Sequence, residues 1–203
     1  MNEMTILPLF SKHVAISGDT YNMSEEELDF IKNLKRIENI DYNSVTENQY
    51  ILELPELKNL KKWIQENVEA YFYKFLKVDD IEKIYITQSW SNLSKKGQKH
   101  HTHNHPNSVI SGVMHFDDND SNLNFYSDDL PYFFSFNHKE YDIYNSQKWS
   151  WPTKKYNLFL FPSKLKHDVD IQRKETDRIS LSFNTWVSGI VGIKNESTLL
   201  ELK

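Results

Sequence analysis

RISLSFN, residues 178–184, alternates strictly: Arg178, Ser180 and Ser182 fall on one side of an extended chain, and Ile179, Leu181 and Phe183 on the other. The apolar side asks for a core, so the segment is expected to be a strand of a packed sheet. The other side carries an arginine with a hydroxyl two residues on, and an inward arginine is costly unless it meets an anion. A carboxylate suits it, gripped at two points by the planar guanidinium and supported by the serine hydroxyl. An internal bridge to Asp or Glu is the plainer alternative.

Working outward, "IEKIYITQSWSNL", "SVISGVMHF", "NLNFYS", "KYNLFLFPS" and "HDVDI" are further short runs rich in β-branched and aromatic residues, separated by polar or turn-prone stretches. "ILPLFSKHVAI" reads as an opening strand. Two helices precede the sheet-rich part. In "SEEELDFIKNLKRI" Ser24 and Glu27 form a capping box ahead of Leu28, Ile31, Leu34 and Ile37. From Leu54 to Leu76, residues Leu57, Leu60, Ile64, Val68, Tyr71, Phe72 and Phe75 recur every three or four positions, the mark of one long amphipathic helix packed on the core. Helices followed by many short strands predict an α+β domain whose sheet half is a sandwich or barrel. The 203 residues are expected to form a single domain. It comprises an N-terminal strand and helices (1–80), a strand-rich core (81–190) and a C-terminal tail (191–203). The aromatic, polar stretch 128–155 reads as an insertion, a lid over a site.

Composition narrows the chemistry. The chain has no cysteine, which excludes disulfides, thiolate metal sites and cysteine nucleophiles and leaves histidine and carboxylate as metal ligands. A net charge of -5 argues against a broad nucleic-acid surface. Five glycines without a GxGxxG or GxxxxGKS pattern speak against a phosphate-cradling nucleotide fold. The opening MNEMTILPLFSK lacks a basic, then apolar leader, and no stretch has the roughly 18 apolar residues of a membrane span. A cytoplasmic location without membrane partners is therefore expected, with a homodimer left open.

HTHNHPNS, residues 101–108, concentrates the ligand chemistry. If residues 100–105 are extended, His101, His103 and His105 share one face and His100 takes the other. Alone, this run suits a metal site or a solvated polar strand end about equally. A metal held by an i, i+2 pair needs a third ligand from another strand, and His167, delivered by the apolar run before it in "LFLFPSKLKHDV", is well placed.

Three blocks, "HNHPNSVISGV", "LFLFPSKLKHDV" and "RISLSFN", resemble in order the signature blocks HxHPNSxxSGVYY, FPSxLxH and RISISFN of the 2-oxoglutarate and Fe(II)-dependent oxygenases found in marine bacteria and in phages that infect them. The resemblance spans roughly residues 84–187, with a weaker echo in "LPLF". It implies a double-stranded β-helix (jelly roll, cupin-like) with the N-terminal helices packed on the sheet and iron at the open end of the barrel. By resemblance, His103 is the first metal ligand, His105 stands in the usual carboxylate position and His167 is the distal histidine. Arg178 and Ser180 fall on the RxS pair that grips the far carboxylate of 2-oxoglutarate. The implied reaction consumes O₂ and 2-oxoglutarate, releases succinate and CO₂, and hydroxylates an unidentified small molecule or peptidyl side chain. If the chain is phage-encoded, the compartment is the host cytoplasm.

Two departures from the pattern matter. Histidine at 105 replaces an Asp or Glu and leaves the metal one negative charge short of the usual triad. His101 or Asp117 are alternative completions of the site. His115 occupies a position that is often aromatic in the family, as a packed core residue or at the substrate mouth. Trp90, Asn92, Trp149 and Trp151, with Tyr132, Phe133 and Phe134, are the other candidates for that mouth, against a plain reading as aromatic packing. Two rival functions remain open: a three-histidine cupin-type iron dioxygenase that does not use 2-oxoglutarate, and a non-catalytic jelly-roll module whose aromatic loop grips a sugar or peptide.

Overall fold

A computed structural model describes residues 5, 9–38, 43–79, 82–118, 121–128, 134 and 136–203. Helix α1 (Glu25–Lys32) starts where the capping box places it: the Glu27 amide donates to Ser24 Oγ at 3.1 Å, and the Ser24 amide to Glu27 Oε2 at 3.0 Å. It stops earlier than its apolar spacing suggests. The chain turns after Asn33 into a short strand, β2 (Arg36–Glu38), held by the Arg36 guanidinium, which donates to the Ser91 carbonyl (2.9 Å) and hydroxyl (3.0 Å). Ile37, expected on the helix, is thus left half exposed on an edge strand.

The long helix is real but compound. Two 3₁₀ turns (Ile51–Glu53 and Pro55–Leu57) lead into α2 (Lys58–Glu69), and the run continues as a π-helical turn (Ala70–Phe75). The wider turn brings the neighbours Tyr71 and Phe72 into the core together and leaves Phe75 outside, where a pure 3.6-residue repeat would have buried it.

The remaining strands are β1 (Ala15–Ile16), β3 (Ser44–Thr46), β4 (Glu82–Ser94), β5 (His100–His103), β6 (Ile110–His115), β7 (Asn122–Tyr126), β8 (Lys148–Pro152), β9 (Leu158–Pro162), β10 (Lys166–Val169), β11 (Arg178–Val191) and β12 (Leu200–Leu202). They form two antiparallel sheets. The larger runs β1-β9-β6-β11-β4-β3-β2 with β12 on β11, and the smaller runs β5-β10-β7-β8. This is a double-stranded β-helix, with the helices on the outer face of the larger sheet.

Period-two alternation gives that sheet two different faces. Ile179, Leu181 and Phe183 of β11 join Ile84, Ile86, Met114 and Leu160 against Leu60, Ile64 and Val68 of α2. The opposite face turns toward the smaller sheet, where Val113, Phe159 and Phe161 meet Leu123, Phe125 and Val169 in a second core. Gly112 sits where β6 passes the Phe183 ring so closely that a Cβ would overlap it.

Two stretches depart from expectation. Within 128–155, Lys148–Pro152 forms β8 and pairs with β7 rather than lying in a lid, and residues 200–202 of the expected tail pair with β11. Of the opening run, only Ala15–Ile16 forms a strand, and residues 6–8 lie outside the described residues, as do Tyr132 and Phe133. No helix among the described residues is long and apolar enough to cross a membrane.

Candidate metal centre

Strand pairing decides which histidines meet. On β10, His167 is in register with Phe125 of β7 on one side and His103 of β5 on the other. Phe125 belongs to the inner core, so His167 opposite it and His103 on the far side of His167 face inward too, and Asp168, the next residue of β10, faces out. Asp168 is fully engaged there, accepting from Asn124 Nδ2 (2.7 Å), Tyr126 OH (2.8 Å) and Thr102 Oγ1 (2.6 Å). His105 lies beyond the end of β5. Its amide donates to the Ser163 carbonyl at 2.9 Å, and its ring stacks on Trp90 with centroids 5.6 Å apart, which turns it back over the other two rings.

Three ring nitrogens converge as a result. His105 Nε2 is 3.1 Å from His103 Nε2 and 3.2 Å from His167 Nε2, and all three lie within 4.8 Å of one another. Two imidazole nitrogens bound to one ion at about 2.1 Å and at a right angle lie about 3 Å apart, so the two spacings from His105 fit ligation of a single ion. The outer nitrogens fix the tautomers. His103 Nδ1 sits 2.8 Å from the His101 carbonyl and His167 Nδ1 sits 3.0 Å from the Leu165 carbonyl. A carbonyl only accepts, so both protons stay on Nδ1 and bare lone pairs are left on Nε2. The side chain of Asn184 hydrogen-bonds the third ring. Converging lone pairs repel unless a cation lies among them.

Burial reinforces this. It pushes the His105 imidazole down to about 4, with His103 adding to the effect, and His167 down to about 3. His103 is also lowered, chiefly by burial. The rings are therefore neutral at neutral pH and free to serve as ligands, and the cluster holds no carboxylate among the described residues. Neither His101 nor Asp117 belongs to it. His101 contributes its carbonyl to His103, whereas the charge of Asp117 acts on Arg178.

From this cluster a lane of polar side chains runs into the barrel along the inner face of β11: Asn184, Ser182, Ser180 and Arg178. Asn92 flanks it, donating to Ser182 Oγ at 3.1 Å. Arg178 closes the lane, 3 % exposed, donating from Nη1 to Ser121 Oγ (2.7 Å) and the Asp170 carbonyl (2.8 Å) and from Nη2 to Ser94 Oγ (3.3 Å). Burial lowers its pKa to about 10, with Asp117 and Asp170 opposing, and it stays cationic at neutral pH. Its neighbour in the lane is His115, opposite Ser180 in register. The His115 ring is 1 % exposed and neither nitrogen has a hydrogen-bond partner; burial, then Arg178, holds its pKa at about 3. A buried cation with two neutral hydroxyl partners, beside an unpartnered imidazole, suits a small carboxylate.

On the solvent side the histidines open into a cavity of about 610 Å³. Trp90 and Asn92 line it. His115 does not: it lies in the barrel interior. Trp149 and Trp151 stand on edge strand β8, and Phe134 is 76 % exposed; none of the three lines the cavity. Sequence reading missed Asn184, Tyr85 and Trp186. Asn184 was within reach, because the alternation of RISLSFN continues one step to it. Tyr85 and Trp186 depend on a bulge in β4 that periodicity does not reveal.

Residues 88–184 match the model of a family described as "Putative 2OG-Fe(II) oxygenase". No curated protein sequence matches the chain. Among solved structures, an oxidoreductase of the 2OG-Fe(II) oxygenase family from Burkholderia pseudomallei is similar at TM-score 0.58 and 12% identity, over 85% of this chain and 83% of that one. HygX from Streptomyces hygroscopicus, with nickel, 2-oxoglutarate and hygromycin B bound, gives 0.58 and 8% over 86% and 82%. The non-heme alpha ketoglutarate dependent carbocyclase SnoK of nogalamycin biosynthesis gives 0.60 and 9% over 95% and 88%. At such identities these likenesses speak to the fold.

Proposed function

We propose that this chain is a 2-oxoglutarate- and Fe(II)-dependent oxygenase, in which His103, His105 and His167 hold the metal and Arg178 with Ser180 receives the distal carboxylate of the cosubstrate. One observation carries the reading: three neutral imidazoles with their lone pairs turned toward one point, at the head of a buried polar lane that ends in a cation. The family match over residues 88–184 and the jelly-roll fold support it.

When bound, Fe(II) and 2-oxoglutarate supply the oxidising chemistry, in which O₂ and the oxoacid are consumed, succinate and CO₂ leave, and the substrate gains oxygen. The chain's own groups position and neutralise. Backbone carbonyls at His101 and Leu165 lock two rings in the ligating tautomer, and Asn184 steadies the third. Because the three ligands are neutral, the dianionic cosubstrate would bring the negative charge at the metal by itself, and the loaded centre would carry one negative charge fewer than with an Asp or Glu ligand. Arg178 takes one end of that dianion, with Ser180 and the neutral His115 ring offering hydrogen bonds beside it. The walls of Leu123, Phe125 and Phe161 keep water from the interior end.

A second reading is favoured by the lack of a carboxylate in the cluster among the described residues: a three-histidine iron dioxygenase that ignores 2-oxoglutarate and uses Arg178 for its substrate. Succinate formation under O₂ in the presence of Fe(II), with no other substrate, separates the two. The oxygenase reading expects slow turnover that requires both Fe(II) and 2-oxoglutarate; iron uptake without any succinate would favour the second reading.

A further inference from the structure

The cavity outside the histidines has a lining that selects a class of substrate. Its aromatic residues are Tyr50, Tyr85, Trp90 and Trp186. Side-chain amides alternate with them: Gln88 and Asn92 on β4, Asn184 on β11, and Asn104 and Asn107 in the loop after β5. No lysine, arginine, aspartate or glutamate lines it among the described residues, in a chain that is 26% charged.

The arrangement is built by the strand geometry. Along β4, Asn92 is opposite Ser180 and Trp90 opposite Ser182, but a register shift follows and Tyr85 comes opposite Trp186. The extra residue reverses the alternation of β4 there, so Ile84 and Ile86 go to the helix side while Tyr85 and Thr87 join Gln88 and Trp90 at the cavity. Tyr85 and Trp186 thus become cross-strand neighbours on the open side. They are 40 % and 36 % exposed, Tyr50 is 53 % exposed, and none of the three contacts another described aromatic ring. Each offers exposed side-chain surface to a ligand in the cavity.

Resting on the reading of the triad as the reaction centre, we infer that this cavity binds a neutral sugar ring, as a glycosyl unit of an oligosaccharide or glycoconjugate. Aromatic faces receive the C–H faces of a pyranose, and an amide presents a donor and an acceptor side by side, matching vicinal hydroxyls. A free amino acid, a carboxylate or a phosphate would bring charge into a lining that offers no opposite charge. A peptide adding itself as a strand finds no free backbone along β4, where Asn92 already lies between Val45 of β3 and Ser180 of β11, and the open edge of β5 is the strand left for it, which the tripeptide probe below tests. The volume of about 610 Å³ is that of an ordinary small-ligand site.

The test is saturation-transfer NMR with tryptophan fluorescence on the full chain without added metal. The probes are maltotriose, cellotriose, chitotriose, a capped uncharged tripeptide, adenosine and leucine. The expected result is transfer to the ring C–H protons of at least one trisaccharide, with affinity lowered about tenfold by Trp186→Ala and largely kept by Trp186→Phe. Fe(II) uptake should be the same in both variants. The proposal is overturned if no trisaccharide receives transfer, if the tripeptide, adenosine or leucine binds instead, or if Trp186→Ala leaves trisaccharide binding undiminished. Since binding is read without metal, a trisaccharide that binds to a protein forming no succinate would remove the oxygenase reading and keep this one.

Discussion

His103 and His167 face each other in register across neighbouring antiparallel strands, each with Nδ1 on a backbone carbonyl two residues earlier in the chain, His101 and Leu165 respectively. The two rings are thereby held by the same local device on two strands. The proposed metal site is consequently a property of the β5–β10 pairing, and it should fail when either ring is removed. His103→Ala and His167→Ala are expected to lose tight Fe(II) binding while keeping native circular dichroism. His101→Ala should keep iron, because His101 serves the site through its carbonyl. Metal content after desalting checks this, and unchanged stoichiometry in either of the first two variants would remove that residue from the site.

Asn184 joins the third histidine of the cluster, His105, to the scaffold. It accepts from Ser111 Oγ at 2.8 Å, and Ser111 in turn lies 2.8 Å from Ser163 Oγ on the residue whose carbonyl holds the His105 amide. Asn184→Ala should weaken Fe(II) binding by about 10- to 100-fold, the usual effect of losing an outer partner of a ligating histidine. Isothermal titration under argon measures it, and an affinity equal to the parent's would show that His105 needs no such support.

Acid should destabilise the metal-free protein. Burial lowers His105 to about 4 and His115 and His167 to about 3, against 6.5 for the same groups in an unfolded chain. The unfolded state therefore takes up protons that the folded state refuses as pH drops below about 6.5, and stability declines from there toward pH 3. Urea midpoints should be level from pH 8 to 7 and fall steadily from pH 6.5 to 5. His115→Phe, which removes one of these groups and its two unpartnered nitrogens, should show a shallower fall. Identical slopes for variant and parent would refute the neutral, buried state of His115.

Gly112 marks how tightly the larger sheet is packed. A methyl group there would overlap the Phe183 ring, and both positions are fully enclosed between the helices and β9. Gly112→Ala should cost about 1–3 kcal/mol of stability, read as a shift in the urea midpoint. No shift would mean that Phe183 moves aside freely.

Much of this was legible in the chain. RISLSFN declared its own faces, and its arginine lies where alternation puts it, inward and almost fully buried. Ser24 and Glu27 fixed the start of α1. His103, His105 and His167 stood out because an i, i+2 pair and a histidine at the end of an apolar run are local signals. What escaped depends on non-local geometry. The end of α1 was set by Arg36 reaching Ser91, and β8 by pairing with β7, neither of which has a local signature. His115 stays between a packed core residue and a place at the substrate mouth until β6 is placed beside β11. The bulge that brings Tyr85 to Trp186 exists only in the pairing of β4 and β11.

The most direct test of the account is anaerobic titration of the Fe(II)-loaded protein with 2-oxoglutarate, followed by the visible charge-transfer band of the chelate. The parent should develop the band at one cosubstrate per iron, and His167→Ala should develop none. Arg178→Ala should need at least about 30-fold more 2-oxoglutarate, since truncating one partner of a buried charge pair costs on the order of 2 kcal/mol or more, and Arg178→Lys should recover only part of the loss. A protein that takes up iron but shows no band, or whose 2-oxoglutarate dependence is unaltered in a folded Arg178→Ala variant, would contradict the account.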